Sequence, residues 1–157
     1  MSMYIAQAAQ GMIILYHGKE VIDEAKKCYN NPNRSAKDYA KIGLKAVTTI
    51  LEGIVFMKSI NIYNLKEQFN KAELSEYQLS KDYDVASYTL TKIHSLDNLE
   101  KTEEAFTKYF KAADNKIAIE KQLLNENRNH KVVKKALNVA KDVLSAFFSV
   151  KNKAENV

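Results

Sequence analysis

The apolar positions of this 157-residue chain return at steps of three, four and seven, the spacing of helices with one covered face. Ile5, Ala8, Met12, Leu15, Ile22 and Ala25 follow it first and predict a helix over about 2–28. Tyr29-Asn30-Asn31-Pro32-Asn33-Arg34 is the strongest breaker in the chain. Ser35 then stands as an N-cap, with Asp38 three residues on in capping-box position. A second helix is expected over about 36–60. Its main face is Tyr39, Gly43, Ala46, Val47, Ile50, Ile54 and Met57, widened by Leu44, Leu51, Val55 and Phe56. A helix apolar over so much of its circumference reads as the central one of a bundle.

The pattern weakens over 61–96. A helix over 62–74 would turn Leu65, Phe69 and Ala72 inward and break at Ser75-Glu76. A shorter one, from Asp82-Tyr83-Asp84 to His94, would bury Ala86, Leu90 and Ile93. Ser95 or Asp97 can cap the next helix. Its first turns carry Glu100, Glu103 and Glu104, where the helix dipole favours acids. Leu99, Phe106, Phe110, Ala113, Ile117 and Leu124 mark its seam, with Tyr109 and Leu123 alongside, and it fades over Asn125-Glu126-Asn127-Arg128-Asn129. A last helix over about 130–152 sets Val133, Ala136, Leu137, Ala140, Val143, Leu144 and Phe147 on one face. Lys134, Lys135, Asn138, Lys141 and Ser145 face away from it, and residues 153–157 are expected to fray.

Glycine and proline usage sharpens this picture. From Ile54 to the end the chain runs 104 residues without either, and tight turns of strand-rich folds depend on both. The expected fold is all-α: one compact bundle of five or six helices spanning 1–157. Antiparallel hairpins are expected about Pro32 and about residues 125–129. A hydrophobic content of 46% and a charged content of 27% suit a globular protein.

The net charge of +5 is concentrated in residues 129–157, which alone carry +4. Twenty-two lysines stand against two arginines, Arg34 and Arg128, and there are 14 asparagines, a bias of AT-rich coding. Base readout led by arginine has almost nothing to work with here, which disfavours a specific nucleic-acid binder. The single cysteine excludes an internal disulfide, and no apolar leader opens the chain. The most apolar stretch, 42–60, is interrupted by Lys45, Glu52 and Lys58 and falls short of a membrane span. Together these predict a cytoplasmic protein.

Candidate chemistry is sparse. Cys28 with His17, His94 or His130 would make a nucleophile–base pair, but no local signature supports one. No Glu-x-x-His, His-Glu-x-x-His, Cys-x-x-Cys or phosphate-loop motif occurs. No catalytic residue, metal or cofactor is therefore assigned. Tyr63, Tyr77, Tyr83 and Tyr88 concentrate in the least regular segment, and tyrosine suits interfaces because it joins a large apolar area to a hydrogen-bonding tip. Phe148, adjacent to Phe147, cannot share its inward direction and joins the candidate interaction surface. Lys134, Lys135 and Lys141 form a candidate basic face. Gly11 and Gly43 are small enough for a close helix crossing, while Gly18 and Gly53 give no direction. The sequence thus points to a non-catalytic helical bundle that binds protein, another copy or a different chain. The runner-up is a membrane-docking or membrane-active helical protein using 42–60 and the basic last helix. A nucleic-acid binder and an enzyme of unrecognised type stand behind both.

Overall fold

The Pro32 turn forms as its residues dictate. In the computed structural model, which describes residues 2–154 and the side chains of 5–147, α1 (Ser2–Tyr29) ends at this turn. The Asn31 side chain accepts a hydrogen bond from the Asn33 amide at 2.9 Å. Ser35 and Asp38 close the expected capping box: the Asp38 amide donates to Ser35 Oγ at 3.3 Å and the Ser35 amide to Asp38 Oδ2 at 2.9 Å. From this cap α2 runs over Ala36–Lys92. A short turn follows, and α3 runs over Leu96–Ala154. Ser95 supplies the cap of α3, its Oγ accepting from the Asn98 amide at 3.2 Å. No strand occurs among the described residues.

The all-α class holds, with three helices in place of the expected five or six. Three expected breaks do not exist, the first being that at residue 61, where α2 runs on as helix. Ser75-Glu76 lies inside α2, where the Glu76 carboxylate turns to Lys116 of α3 and so has no need of a chain break to satisfy it. Residues 125–129 lie inside α3, where Asn127 Nδ2 folds back onto the Leu123 carbonyl at 2.9 Å. An asparagine bonded to its own helix does not end it. Polar clusters alone stop a helix poorly when no glycine or proline supplies a different backbone angle. The later hairpin therefore turns at residues 93–95, and not at 125–129.

The chain divides into two compact units, Met1–Ile60 with Arg128–Val157, and Asn61–Asn127. In the first, three helices meet. Glu24 pairs with Lys45, and His17 with Glu52. The contacts step by seven residues in opposite directions on α1 and α2, which is antiparallel heptad packing. In the second unit α2 and α3 pair alone. Tyr83 stacks on Tyr109 with ring centroids 6.3 Å apart, and seven residues away Glu76 meets Lys116. The half-buried and buried line Ile62, Leu65, Phe69, Ala72, Glu76, Leu79 keeps the same alternation of three and four along α2.

Leu65, Phe69 and Ala72 of α2 and Val133, Leu137, Ala140, Leu144 and Phe147 of α3 turn inward as expected, but elsewhere the packed lines differ from the most apolar ones. In α1 the half-buried positions are Gln7, Gly11, Ile14, His17, Gly18, Val21, Glu24, Ala25 and Cys28, while Ile5, Met12, Leu15 and Ile22 are exposed. In α3 the exposed set includes Leu99, Phe106, Phe110, Ile117 and Leu124, the seam expected from sequence, while Thr102, Ala105, Tyr109, Ala112, Lys116, Ile119 and Leu123 are at least half-buried. The buried apolar side chains among the described residues are Ile62, Ala72, Leu137 and Ala140.

The glycines follow this arrangement. A Cβ at Gly11 would lie 3.6 Å from the Phe56 ring, whereas a Cβ at Gly43 would meet nothing within 4 Å. The two glycines do not form a common crossing; Gly11 approaches Phe56, and Gly43 lies on the open side of α2. Gly43→Ala is accordingly expected to raise the unfolding free energy by about 0.5–1 kcal/mol through helix propensity. Gly11→Leu should lower it by about 1–3 kcal/mol through overpacking. Urea midpoints of the two variants moving in the same direction would contradict this assignment.

Candidate functional site

Two features of the first unit bear on function: a polar node where its three helices converge, and an apolar line on the opposite side of α2. The node is centred on Glu52, whose side chain is only 13% exposed. His17 Nδ1 on α1 lies 2.8 Å from Glu52 Oε2, and Lys141 Nζ on α3 donates to Glu52 Oε1 at 2.8 Å. Burial pushes the Glu52 carboxyl up, but the hydrogen bonds and charges of Lys141 and His17 outweigh it and hold the group below its ordinary value. Two turns away Lys45 is paired with Glu24. His17, Lys45, Glu52 and Lys141 line a cleft of about 300 Å³ with Thr48, Thr49 and Leu144.

The chemistry open to this cleft is limited by where its protons go. The Thr48 and Thr49 hydroxyls donate to the Leu44 and Lys45 carbonyls of their own helix, at 2.9 and 3.0 Å. They face the cleft as acceptors. The Ser59 hydroxyl donates to the Val55 carbonyl at 2.9 Å, and His130 Nε2 lies 3.2 Å from Ser59 Oγ. The cysteine–histidine pairing has no geometric support at His17 or His130. Cys28 is eleven residues along α1 from His17, about 16 Å of helix rise, and His130 faces Ser59. No group of three or more His, Cys, Asp or Glu among the described residues could hold a metal ion. What the node does is tie three helices into one register with paired charges.

The apolar line runs along Tyr39, Gly43, Val47, Ile50, Ile54 and Met57, every one of them exposed. At 100° per residue these six fall within an arc of about 80°. The inward line, Lys45, Thr48, Glu52, Val55 and Ser59, lies on the opposite side, and four of its five members are polar. Ile50 is 62% exposed and Met57 57%, while Glu52 between them is nearly covered. Six residues of the main face expected to be the core of the central helix are thus on its outside, while Ala46 and the widening Leu44, Leu51, Val55 and Phe56 are half-buried. Val132, Ala136, Val139, Val143 and Ala146 of α3 repeat the theme, exposed at alternating steps of four and three beside the packed line Val133, Leu137, Ala140, Leu144 and Phe147.

The sequence-predicted candidates are dispersed. Tyr83 is half-buried against Phe106, centroids 5.5 Å apart, and against Tyr109. Tyr63 is half-buried, while Tyr77 and Tyr88 are exposed, carrying Lys81 and Lys92 over their rings at 4.4 and 5.4 Å. The four tyrosines therefore do not make one surface. Phe148 lies in α3, and its side chain is outside the described residues. Lys134 and Lys135 are exposed, whereas Lys141 is drawn to Glu52. Sequence reasoning missed His17, Lys45 and Glu52 as partners. The available signal was the interval of seven from Lys45 to Glu52 to Ser59, which puts three polar groups on one side of an apolar helix. Comparison with known proteins finds no matching protein family, no matching curated protein and no matching solved structure.

Proposed function

We propose that this chain is a non-catalytic helical scaffold that binds protein helices along its outward apolar lines. One observation carries the reading: α2 turns its polar line inward and leaves Tyr39, Val47, Ile50, Ile54 and Met57 in solvent. Apolar residues at alternating steps of three and four are the knobs of coiled-coil packing, and they gain stability only when a second helix supplies the holes. Contiguous exposed patches of this kind mark interaction sites. The alternative of docking to an anionic membrane has less support. No lysine of the 36–60 segment falls inside the apolar arc, Lys45 and Lys141 are paired with carboxylates, and no helix among the described residues is long and apolar enough to cross a membrane. The four lysines and arginines within 35–61 thus add little attraction at the place where lipid would have to insert.

A photoreactive residue in place of Ile54, in the full chain expressed in its native host, tests this reading. Irradiation is expected to give a covalent adduct to protein, self or other, and none with the same residue at Asn138. Adducts to lipid alone, or none at Ile54, would reject it.

A further inference from the structure

We propose that the outward line of α2 takes a second copy of this chain, antiparallel, about a two-fold axis at Ile50. The proposal rests on the reading of that line as a helix-binding surface and names its occupant. In such a pair residue 50 + k of one copy faces residue 50 − k of the other. Ile50 then meets itself, Ile54 faces Ala46 of the second copy, and Met57 faces its Gly43. The largest flexible side chain of the line thus faces its only missing one, at a position where a Cβ meets nothing within 4 Å. The line is self-complementary in size when read backwards, and it carries no charge between Gly43 and Met57 that would repel its own copy.

The inward line of α2 adds a further reason for the choice of face: Lys45, Glu52 and Ser59 are committed to Glu24, Lys141 with His17, and His130. A rotation of α2 that buried the apolar line instead would strand those charges, so the line stays outward and needs cover from outside the chain.

The test is sedimentation equilibrium and thiol cross-linking of the full chain in a Cys28→Ser background. The expected mass is twice the 17.9 kDa of one chain. Facing Cα atoms of helices 8–10 Å apart, each about 2.3 Å from its axis, sit about 3.4–5.4 Å apart, which overlaps the roughly 4.4–6.8 Å of a disulfide. Oxidation of Ile50→Cys should therefore give a covalent dimer. Met57→Cys alone should not, whereas mixing it with Gly43→Cys should. Ile50→Glu should weaken association at least about 100-fold while leaving the helical circular dichroism of the chain intact. A monomer at micromolar concentration, free or bound to phosphatidylserine vesicles, would overturn the pairing. So would self-cross-linking at position 57, which a parallel pair requires. A photo-adduct from position 54 to a different protein, with the purified chain monomeric, would overturn the pairing and leave the scaffold reading standing.

Discussion

Replacing Leu137 by alanine is expected to lower the unfolding free energy by about 2–4 kcal/mol, the cost of lost apolar transfer plus a cavity. Leu137 is 7% exposed, one of the few apolar side chains that the first unit removes from water. Val139, two residues on, belongs to the exposed line of α3. Val139→Ala should change the same quantity by less than about 0.5 kcal/mol, since it empties no packed space and alanine is the better helix former. Denaturant titrations followed by circular dichroism compare the two. Equal losses would mean that α3 packs along a different line from the one described. The contrast matters because both residues read as apolar helix positions, and only their azimuth separates them.

Glu52→Gln should cost about 1.5–3 kcal/mol at neutral pH, because two hydrogen bonds from cationic or polarised donors lose a charged acceptor in a covered site. Its pH dependence is distinctive. The folded chain holds the Glu52 carboxyl below its ordinary value of 4.5, so at mildly acidic pH the unfolded chain binds the proton more readily than the folded one. The stability that Glu52 contributes is therefore complete well above pH 4.5. It is lost as pH falls through that value and then through the lower folded one. Stability of the natural chain should decline below about pH 5 more steeply than that of Glu52→Gln, and the two curves should converge in acid. Parallel curves would show that Glu52 does not hold its charge against Lys141 and His17.

The acid limb isolates Glu52 because the other shifted carboxyl sits in a different setting. Glu104 is lowered by its hydrogen bond to Lys108 four residues along α3, an exposed pair that contributes little to stability. Lys116, raised by its hydrogen bond to Glu76, titrates at the alkaline end and does not enter the acid range.

The sequence by itself determined the helical class, the Pro32 turn and both helix starts. Missing glycine and proline removed the means of making other structures, and Ser35 with Asp38 and Ser95 with Asn98 act through contacts three residues apart. Local chemistry suffices for such features. It also laid out the lines of apolar residues on each helix. It did not determine which line turns inward: the main faces read from hydrophobicity for α1, for α2 over 36–60 and for the first half of α3 lie outside, while Leu65, Phe69 and Ala72 of α2 turn inward as expected. The reason is that periodicity fixes the spacing of a line and leaves its azimuth open. Azimuth in the first unit is set by Glu24, Lys45, His17, Glu52 and Lys141, which reach one another only once three helices from distant parts of the chain have met. Helix continuity was decided in the same way: Glu76 reads as a break by itself and as a seam position once Lys116 stands opposite. Paired charges can take the inner positions only when tertiary structure brings both partners together, and that pairing is what leaves Ile50, Ile54 and Met57 facing out.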